Sequence, residues 1–393
     1  LTLNSDFILQ TYGFNKFNFI IGNPPYNING QLKTPTNNKQ KKTEDGKQVY
    51  VKFIFNSLEL LRENKNKNKN KNKNKNKNEI GFLNMVVPNI WLKPCKSGLY
   101  HKLTSLNICK LVSLSTSESN KLFNYNAQTP VCYFLIENSN NNSNNNSNNN
   151  SNNNSNNNII NIWDKYVNKW IDYKLYPEWP IPTTGISIIN RLVPFIQKYG
   201  HIRVEKSNLP SKNVTLYDNN KDNRDNTDNN NTDNLYKNIK TCVIQNDNSN
   251  KNFKIVYNYS DIECSYYGVP KLVLAHKMYG YPYLDISGIY GISTRDNYII
   301  STKNYTIREL KLIQKYLASR FAMFIFSVCN YRMRYLERYA FNFIPDITKI
   351  DKIGDIDKIG DINNLEQFHK YIFNIFCLSQ TEREIIENFT KIY

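Results

Sequence analysis

The residues whose types and spacing best suit a catalytic role in this sequence form the segment Asn23-Pro24-Pro25-Tyr26. It follows an apolar run that ends at Gly22, as a turn follows a β-strand. Each proline fixes its φ angle and removes a backbone donor, which leaves carbonyl acceptors exposed. The amide oxygen of Asn23 and the carbonyl oxygen of Pro24 can therefore converge on one amine. Tyr26 offers a flat ring beside them.

Such a pair of acceptors suits transfer of a group to a conjugated amine. The lone pair of an aryl amine is delocalised into its ring, so the amine is a poor nucleophile. Two acceptors for its two N–H groups favour a pyramidal nitrogen, and they stabilise the positive charge that develops during attack. This step needs no metal ion, and the cysteines and histidines are scattered without the spacings typical of metal sites.

The elements that must hold this turn alternate along the first half of the chain. Apolar runs predict four strands, at 17–21, 81–87, 109–113 and 131–136. Helical periodicity predicts helices at 50–62 and near 98–105. The first helix places on one face Tyr50, Phe53, Ile54, Ser57, Leu58 and Leu61. This order predicts an α/β fold with a largely parallel sheet, and the carboxyl ends of such strands are where ligands bind.

The second half of the chain is predicted to be α+β, which gives two domains, 1–179 and 180–393. One amphipathic helix is predicted over 308–329, with a face formed by Leu310, Ile313, Leu317, Phe324 and Val328. The run 280–300, rich in Gly, Tyr and Ile, predicts strands joined by turns. Polar inserts at 64–79, 138–158 and 218–234, and a tandem duplication at 351–362, are expected to be loops because they cannot bury apolar surface.

Composition and charge limit the class of protein. The net charge is +18, and removing the seven lysines of the Lys-Asn run still leaves about +11. A basic balance favours a nucleic-acid partner, although AT-rich coding sequence would inflate Lys and Asn in the same way. No apolar run of about 18 residues is present, so no membrane-spanning helix is predicted. Seven single cysteines and an N-terminus without a signal-peptide pattern predict a reducing intracellular compartment, either cytoplasm or nucleoid or nucleus.

With the strand before it, the 23–26 turn resembles the S-adenosylmethionine-dependent amino-methyltransferases, specifically the adenine-N6 DNA methyltransferases of the restriction–modification type. The resemblance implies a Rossmann-like sheet whose fourth strand ends at this turn, with S-adenosylmethionine as cofactor and double-stranded DNA as partner. It implies that the Asn23 side chain and the Pro24 carbonyl hold the target amine. It also implies that Tyr26 stacks on an adenine flipped out of the duplex.

Other segments carry the same resemblance. Residues 1–9 resemble the family's third strand, which makes Asp6 the acid that bonds the adenine amine of the cofactor, beside Asn23. Residues 81–92 resemble the next strand. Residues 122–137 are similar to the segment that places a second aromatic ring over the flipped base, with Phe123 as the best candidate and Tyr125 as the next.

The resemblance continues beyond Pro180 into a C-terminal target-recognition region. Between 330 and 339, three arginines alternate with tyrosines, and these are Arg332, Arg334 and Arg338. A basic, aromatic stretch can grip phosphates and stack on bases, so the three arginines are the predicted DNA contacts. A solvated charged face is the other interpretation of the same pattern.

One departure from the family concerns the cofactor. The glycine-rich loop that cradles its methionine end is absent before Asn23, as is the acid that binds its ribose. If Asp6 ends the third strand, the first two strands are expected upstream of Leu1 or in a partner chain. We therefore expect the chain from Leu1 to Tyr393 to bind the cofactor poorly on its own and to show no measurable methyl transfer.

Two other functions remain open. A protein-glutamine or RNA-guanine methyltransferase uses the same turn, but those families typically carry little chain after it, whereas 367 residues follow Tyr26 here. A non-catalytic DNA-specificity module is favoured by the missing cofactor loop and disfavoured by the intact 23–26 turn.

Overall fold

The computed structural model describes the following residues: 16–27, 48–62, 80–125, 129–140, 158–218, 235–247, 250–276, 282–332, 335–351 and 365–390. Asp6, Arg334, the Lys-Asn run, most of the other polar inserts and nearly all of the tandem duplication lie outside them. Contacts divide the chain into two compact units, Leu1–Ile186 with Tyr331–Met333, and Ser187–Asn330 with Arg334–Tyr393. The roles assigned to 1–179 and 180–393 stay predictions.

The first unit is built on a six-stranded mixed sheet. Its strands are β1 (Phe19–Gly22), β2 (Phe82–Pro88), β3 (Leu106–Leu114), β4 (Val131–Asn140), β5 (Ile159–Asp164) and β6 (Lys169–Lys174). They lie in the order β1-β2-β4-β3-β5-β6. The strands β1, β2, β3 and β5 run in one direction, whereas β4 and β6 run antiparallel to their neighbours.

The mixed sheet confirms the α/β class and corrects the expectation of a largely parallel arrangement. The apolar run at 131–136 does form a central strand, but this strand, β4, enters antiparallel between β2 and β3. The strand β6 follows β5 after only four residues. So short a connection closes an antiparallel hairpin, because a parallel return needs a crossover of a dozen or more residues.

Three helices of the first unit are described. They are α1 (Val49–Leu60), α2 (Leu99–Thr104) and α3 (Thr116–Leu122). The helix α1 buries four residues of its predicted face, which are Tyr50, Ile54, Ser57 and Leu58. Phe53 is 39% exposed, because its position lies at the margin of the apolar stripe, away from the centre set by Tyr50 and Ser57.

The two faces of this sheet differ in burial. Alternate residues on one face form a core that includes Leu83, Met85, Val87, Phe134 and Ile136. The opposite face leaves large apolar side chains exposed, and these are Phe19, Ile21, Tyr133, Ile159 and Trp170. Ile21 alone keeps 74% of its surface exposed. Both Phe19 and Ile21 belong to β1, which is the outermost strand of the sheet as described.

Gly81 permits a close approach between the end of α1 and the start of β2. A Cβ atom at this position would lie 2.6 Å from the backbone oxygen of Arg62 and 2.9 Å from its backbone nitrogen. Asn138 fastens the same junction, because its backbone N–H donates to the Gly81 carbonyl at 2.8 Å and its side chain donates to the Arg62 carbonyl at 3.2 Å.

We expect Gly81→Ala to lower the free energy of unfolding by about 1–3 kcal/mol, since the backbone must move to admit the methyl group. Urea denaturation measures the change. Gly22→Ala is the matched control, because a Cβ there meets only the flexible end of Met85, at 3.0 Å from Sδ. Equal losses for the two variants would show that the junction at Gly81 is not tight.

The second unit contains the strands β7 (Glu205–Lys206), β8 (Leu216–Tyr217), β9 (Tyr236–Asp247), β10 (Asn250–Ser260), β11 (Lys271–Ala275), β12 (Tyr283–Asp285), β13 (Gly291–Ile292) and β14 (Asn297–Ser301). They form two four-stranded sheets, β13-β9-β10-β8 and β12-β11-β14-β7. Both sheets contribute to one apolar cluster of Ile239, Cys242, Val273, Ala275, Ile292 and Ile299. The ranges of β12, β13 and β14 confirm the strands that were predicted within 280–300.

The described helices of the second unit are α4 (Ile186–Tyr199), α5 (Ile307–Leu317), α6 (Arg320–Val328), α7 (Leu365–Ile375) and α8 (Gln380–Thr390). The single helix predicted over 308–329 is wrong, because the chain breaks between α5 and α6. Ser319 makes this break: its hydroxyl donates to the Tyr316 carbonyl at 2.6 Å and accepts from the Ala322 N–H at 3.3 Å. It is thus the N-cap of α6.

Candidate functional site

The 23–26 turn begins directly after β1, at the carboxyl end of that strand. Gly22 pairs with Met85, three residues before β2 ends at Pro88. Pro88 and Leu114, the last residues of β2 and β3, both pair with Val131. The carboxyl ends of these three parallel strands therefore lie along one edge of the sheet, which we call the strand-end edge. Edges of this kind bind ligands in open α/β sheets.

The turn is tied to the start of α1. The carbonyl of Tyr26 accepts a hydrogen bond from the Val49 N–H at 3.2 Å, and Asn27 forms a β-bridge with Gln48. Pro24 is buried, whereas Asn23 is exposed. Neither the Asn23 side-chain amide nor the Pro24 carbonyl oxygen forms a hydrogen bond with another residue in the described ranges. Within the described ranges, both oxygens are thus without a protein donor at the strand-end edge.

Tyr26 is half-buried, with its ring edge-on to that of Tyr50 at a centroid distance of 6.5 Å and an interplanar angle of 79°. Its hydroxyl is buried and has no hydrogen-bond partner among the described residues. Burial raises the pKa of Tyr26 to about 12, with a smaller contribution from Cys132. The side chain is therefore a neutral phenol at pH 7, with part of its surface open to a ligand.

Asn89 is a second asparagine at the strand-end edge, and it is 1% exposed. It follows β2 as Asn23 follows β1. Its side-chain Nδ2 donates to Ser113 Oγ at 2.7 Å, and its backbone N–H donates to the Pro130 carbonyl at 3.0 Å. Its Oδ1 is buried without a described partner. Sequence reasoning placed Asn89 at the end of the strand predicted within 81–92 but gave it no role, although a polar residue directly after a buried strand was the available signal.

The loop between β3 and β4 begins and ends at the same edge and carries two aromatic residues, Phe123 and Tyr125. Ser119 fixes this loop, because its Oγ accepts a hydrogen bond from the Val131 N–H at 3.3 Å. Phe123, which follows α3, is half-buried. Tyr125 is 76% exposed and has a left-handed φ of 64°, next to Asn124 at 49°. Phe123 stays the predicted second aromatic residue, and Tyr125 presents the more exposed ring.

The two described arginines among the predicted DNA contacts belong to different units. Arg332 is exposed and falls in the first unit, whereas Arg338 is exposed and falls in the second. The alternating basic and aromatic surface is incomplete, because Tyr331 is fully buried and its hydroxyl donates to the Ile181 carbonyl at 2.7 Å. Tyr335 stacks on His276, with ring centroids 5.0 Å apart. The role of these arginines in DNA binding stays a prediction.

A cavity of about 390 Å³ lies in the second unit and includes Leu209, Cys264, Tyr266 and Lys303 in its lining. Burial raises the pKa of the Cys264 thiol, which argues against a nucleophilic thiolate there. No cluster of three or more His, Cys, Asp or Glu side chains in the described ranges could hold a metal ion. Within the same ranges, no helix has the length and apolar character required to cross a membrane.

Residues 2–123 match the family model of the Eco57I restriction-modification methylase. The matched range includes the 23–26 turn, Asn89 and Phe123. The match supports the predicted relationship to restriction–modification methylases for this segment, and that relationship suggests DNA methylation. No curated protein matches the chain.

Proposed function

We propose that this protein transfers a methyl group from S-adenosylmethionine to the N6 amine of an adenine flipped out of duplex DNA. The observation that carries the proposal is the pair of acceptors at the strand-end edge, the Asn23 amide and the Pro24 carbonyl, neither bonded to another described residue. The match of residues 2–123 to a restriction–modification methylase family supports the same activity.

The described residues fit the acceptor side of this reaction more fully than the cofactor side. S-adenosylmethionine, which methylases of this kind typically use, supplies an electrophilic methyl group. Toward it, Asn23 is the one predicted cofactor residue in the described ranges, because Asp6 lies outside them. Residues 16–22, which precede Asn23 in those ranges, supply no glycine-rich cradle.

On the acceptor side, each residue of the turn has a separate task. The oxygens of Asn23 and Pro24 accept the two N–H groups of the adenine amine, which localises its lone pair and stabilises the developing positive charge. Pro24 and Pro25 fix the backbone that holds these acceptors. Tyr26, a neutral phenol at pH 7, stacks its ring on the extruded base.

Labelled S-adenosylmethionine tests the proposal with the protein expressed from its complete reading frame. Duplex DNA, RNA and protein extract are offered as methyl acceptors, and label is expected in duplex DNA. Label in RNA or in glutamine side chains would replace the proposal by one of the alternative methyltransferases. DNA binding without methyl transfer would favour the non-catalytic specificity module.

A further inference from the structure

Two distant segments of the second unit are held together by backbone hydrogen bonds. The Ile202 N–H donates to the Ile344 carbonyl at 3.0 Å, and the Asp346 N–H donates to the Gly200 carbonyl at 3.0 Å. Between these bonds, His201 forms a β-bridge with Pro345. The pairing brings the start of one segment beside the 3-10 turns at Arg338–Phe343 and Ile347–Lys349.

This pairing gathers three exposed cations around His201, which we call the His201 basic cluster: Arg203, Arg338 and Lys349. All three act on the His201 imidazole. Burial lowers the pKa of His201, and Arg203, Lys349 and Arg338 lower it further, while Asp346 opposes them. The three cations thus lie close enough to the His201 imidazole to disfavour its protonation, with Asp346 as the one opposing carboxylate among the causes of the shift.

Two acidic groups near the cluster, Asp346 and Asp351, already have partners. Asp346 is fully buried, forms a salt bridge with Lys349 at 3.0 Å and accepts a hydrogen bond from the Tyr305 hydroxyl at 3.2 Å. Asp351 pairs with Lys198 at 3.3 Å. Neither guanidinium, of Arg203 or of Arg338, forms a salt bridge with any residue of the described ranges. Among the described residues, two arginines without a salt bridge therefore remain beside the Lys349–Asp346 pair.

We propose that Arg203, Arg338 and Lys349 form a binding site for a backbone phosphate of nucleic acid, an inference that rests on the proposed function. Guanidinium groups match phosphate oxygens in geometry and charge, and they bind them with charge-assisted hydrogen bonds. Contacts of this kind position a protein on the duplex without reading its sequence. Arg338 was among the predicted DNA contacts, whereas Arg203 and Lys349 join it only through the fold.

The test compares the full chain with the double variant R203Q/R338Q in binding to a short duplex DNA over a series of salt concentrations. Each neutralised phosphate contributes about −0.9 to the slope of the logarithm of affinity against the logarithm of salt concentration, so losing this one phosphate contact should flatten the slope by about 0.9. R295Q, a change at another exposed arginine of the same unit, is the matched control and should leave the slope unchanged. Lys349 is left intact because its removal would take away the salt-bridge partner of buried Asp346.

The charge-preserving variant R203K/R338K controls for misfolding caused by changes at these two positions, and it should keep most of the salt slope. Absence of DNA binding by the unmodified chain would overturn the proposed function and, with it, this site. DNA binding by that chain with an equal slope in R203Q/R338Q would overturn the phosphate site alone. Inorganic phosphate is also titrated into the unmodified chain and into R203Q/R338Q. If the variant loses phosphate binding but keeps the DNA salt slope, the site binds a free anion, and the proposed nucleic-acid phosphate site is overturned.

Discussion

Replacing Asn23 by alanine should slow methyl transfer to duplex DNA by roughly 100-fold or more while leaving the affinity for DNA nearly unchanged. Removing one preorganised hydrogen-bond partner of a developing charge typically costs about 3–4 kcal/mol of barrier. Asn23 is exposed and bonded to no other described residue, so its loss should not disturb the turn. Single-turnover transfer of labelled methyl measures the rate.

Asn27→Ala provides the matched control for this experiment. It removes an asparagine side chain from the same stretch of backbone and keeps the backbone bridge to Gln48. Its rate is expected to stay within a few-fold of the unmodified enzyme. An Asn23→Ala enzyme within threefold of the unmodified one would contradict the assignment of this amide to the target amine.

Replacing Tyr26 by alanine should weaken capture of the extruded base, whereas phenylalanine should preserve it. Stacking of a base on an aromatic ring contributes about 1–3 kcal/mol, and it depends on the ring. The Tyr26 hydroxyl is buried without a described partner, so its removal in Tyr26→Phe should leave the free energy of unfolding unchanged or raise it by about 1 kcal/mol.

The fluorescence of 2-aminopurine at the target position reports base extrusion for both variants. We expect the signal to fall in Tyr26→Ala and to persist in Tyr26→Phe. Thermal unfolding of the same samples separates lost stacking from lost packing against Tyr50. If phenylalanine fails as badly as alanine, the hydroxyl is the working group and the stacking role is wrong.

The parts of the fold that depend on local pattern were predictable from the sequence. The helix α1 follows from apolar residues at helical spacing, and β1, β2 and β4 follow from short apolar runs that end in turns. The 23–26 turn was recognisable because two prolines between an asparagine and a tyrosine dictate a backbone shape without help from the rest of the chain.

Features that depend on tertiary context were not predictable. The break at Ser319 is hidden because Leu317, Phe324 and Val328 continue the apolar spacing across it, so the pattern does not mark Ser319 as an N-cap. The insertion of β4 between β2 and β3 depends on pairings that no local pattern records. The His201 basic cluster becomes visible only when distant segments of the chain are brought together.

The central claim is that adenine N6 receives the methyl group through Asn23 and Pro24. Mass spectrometry of nucleosides tests it most directly, using duplex DNA incubated with S-adenosylmethionine and the enzyme from its complete reading frame. We expect N6-methyladenine as the methylated nucleoside, reduced by roughly 100-fold or more in initial rate in the Asn23→Ala enzyme. Methylcytosine as the main product, or N6-methyladenine formed at an unchanged rate by Asn23→Ala, would contradict the claim.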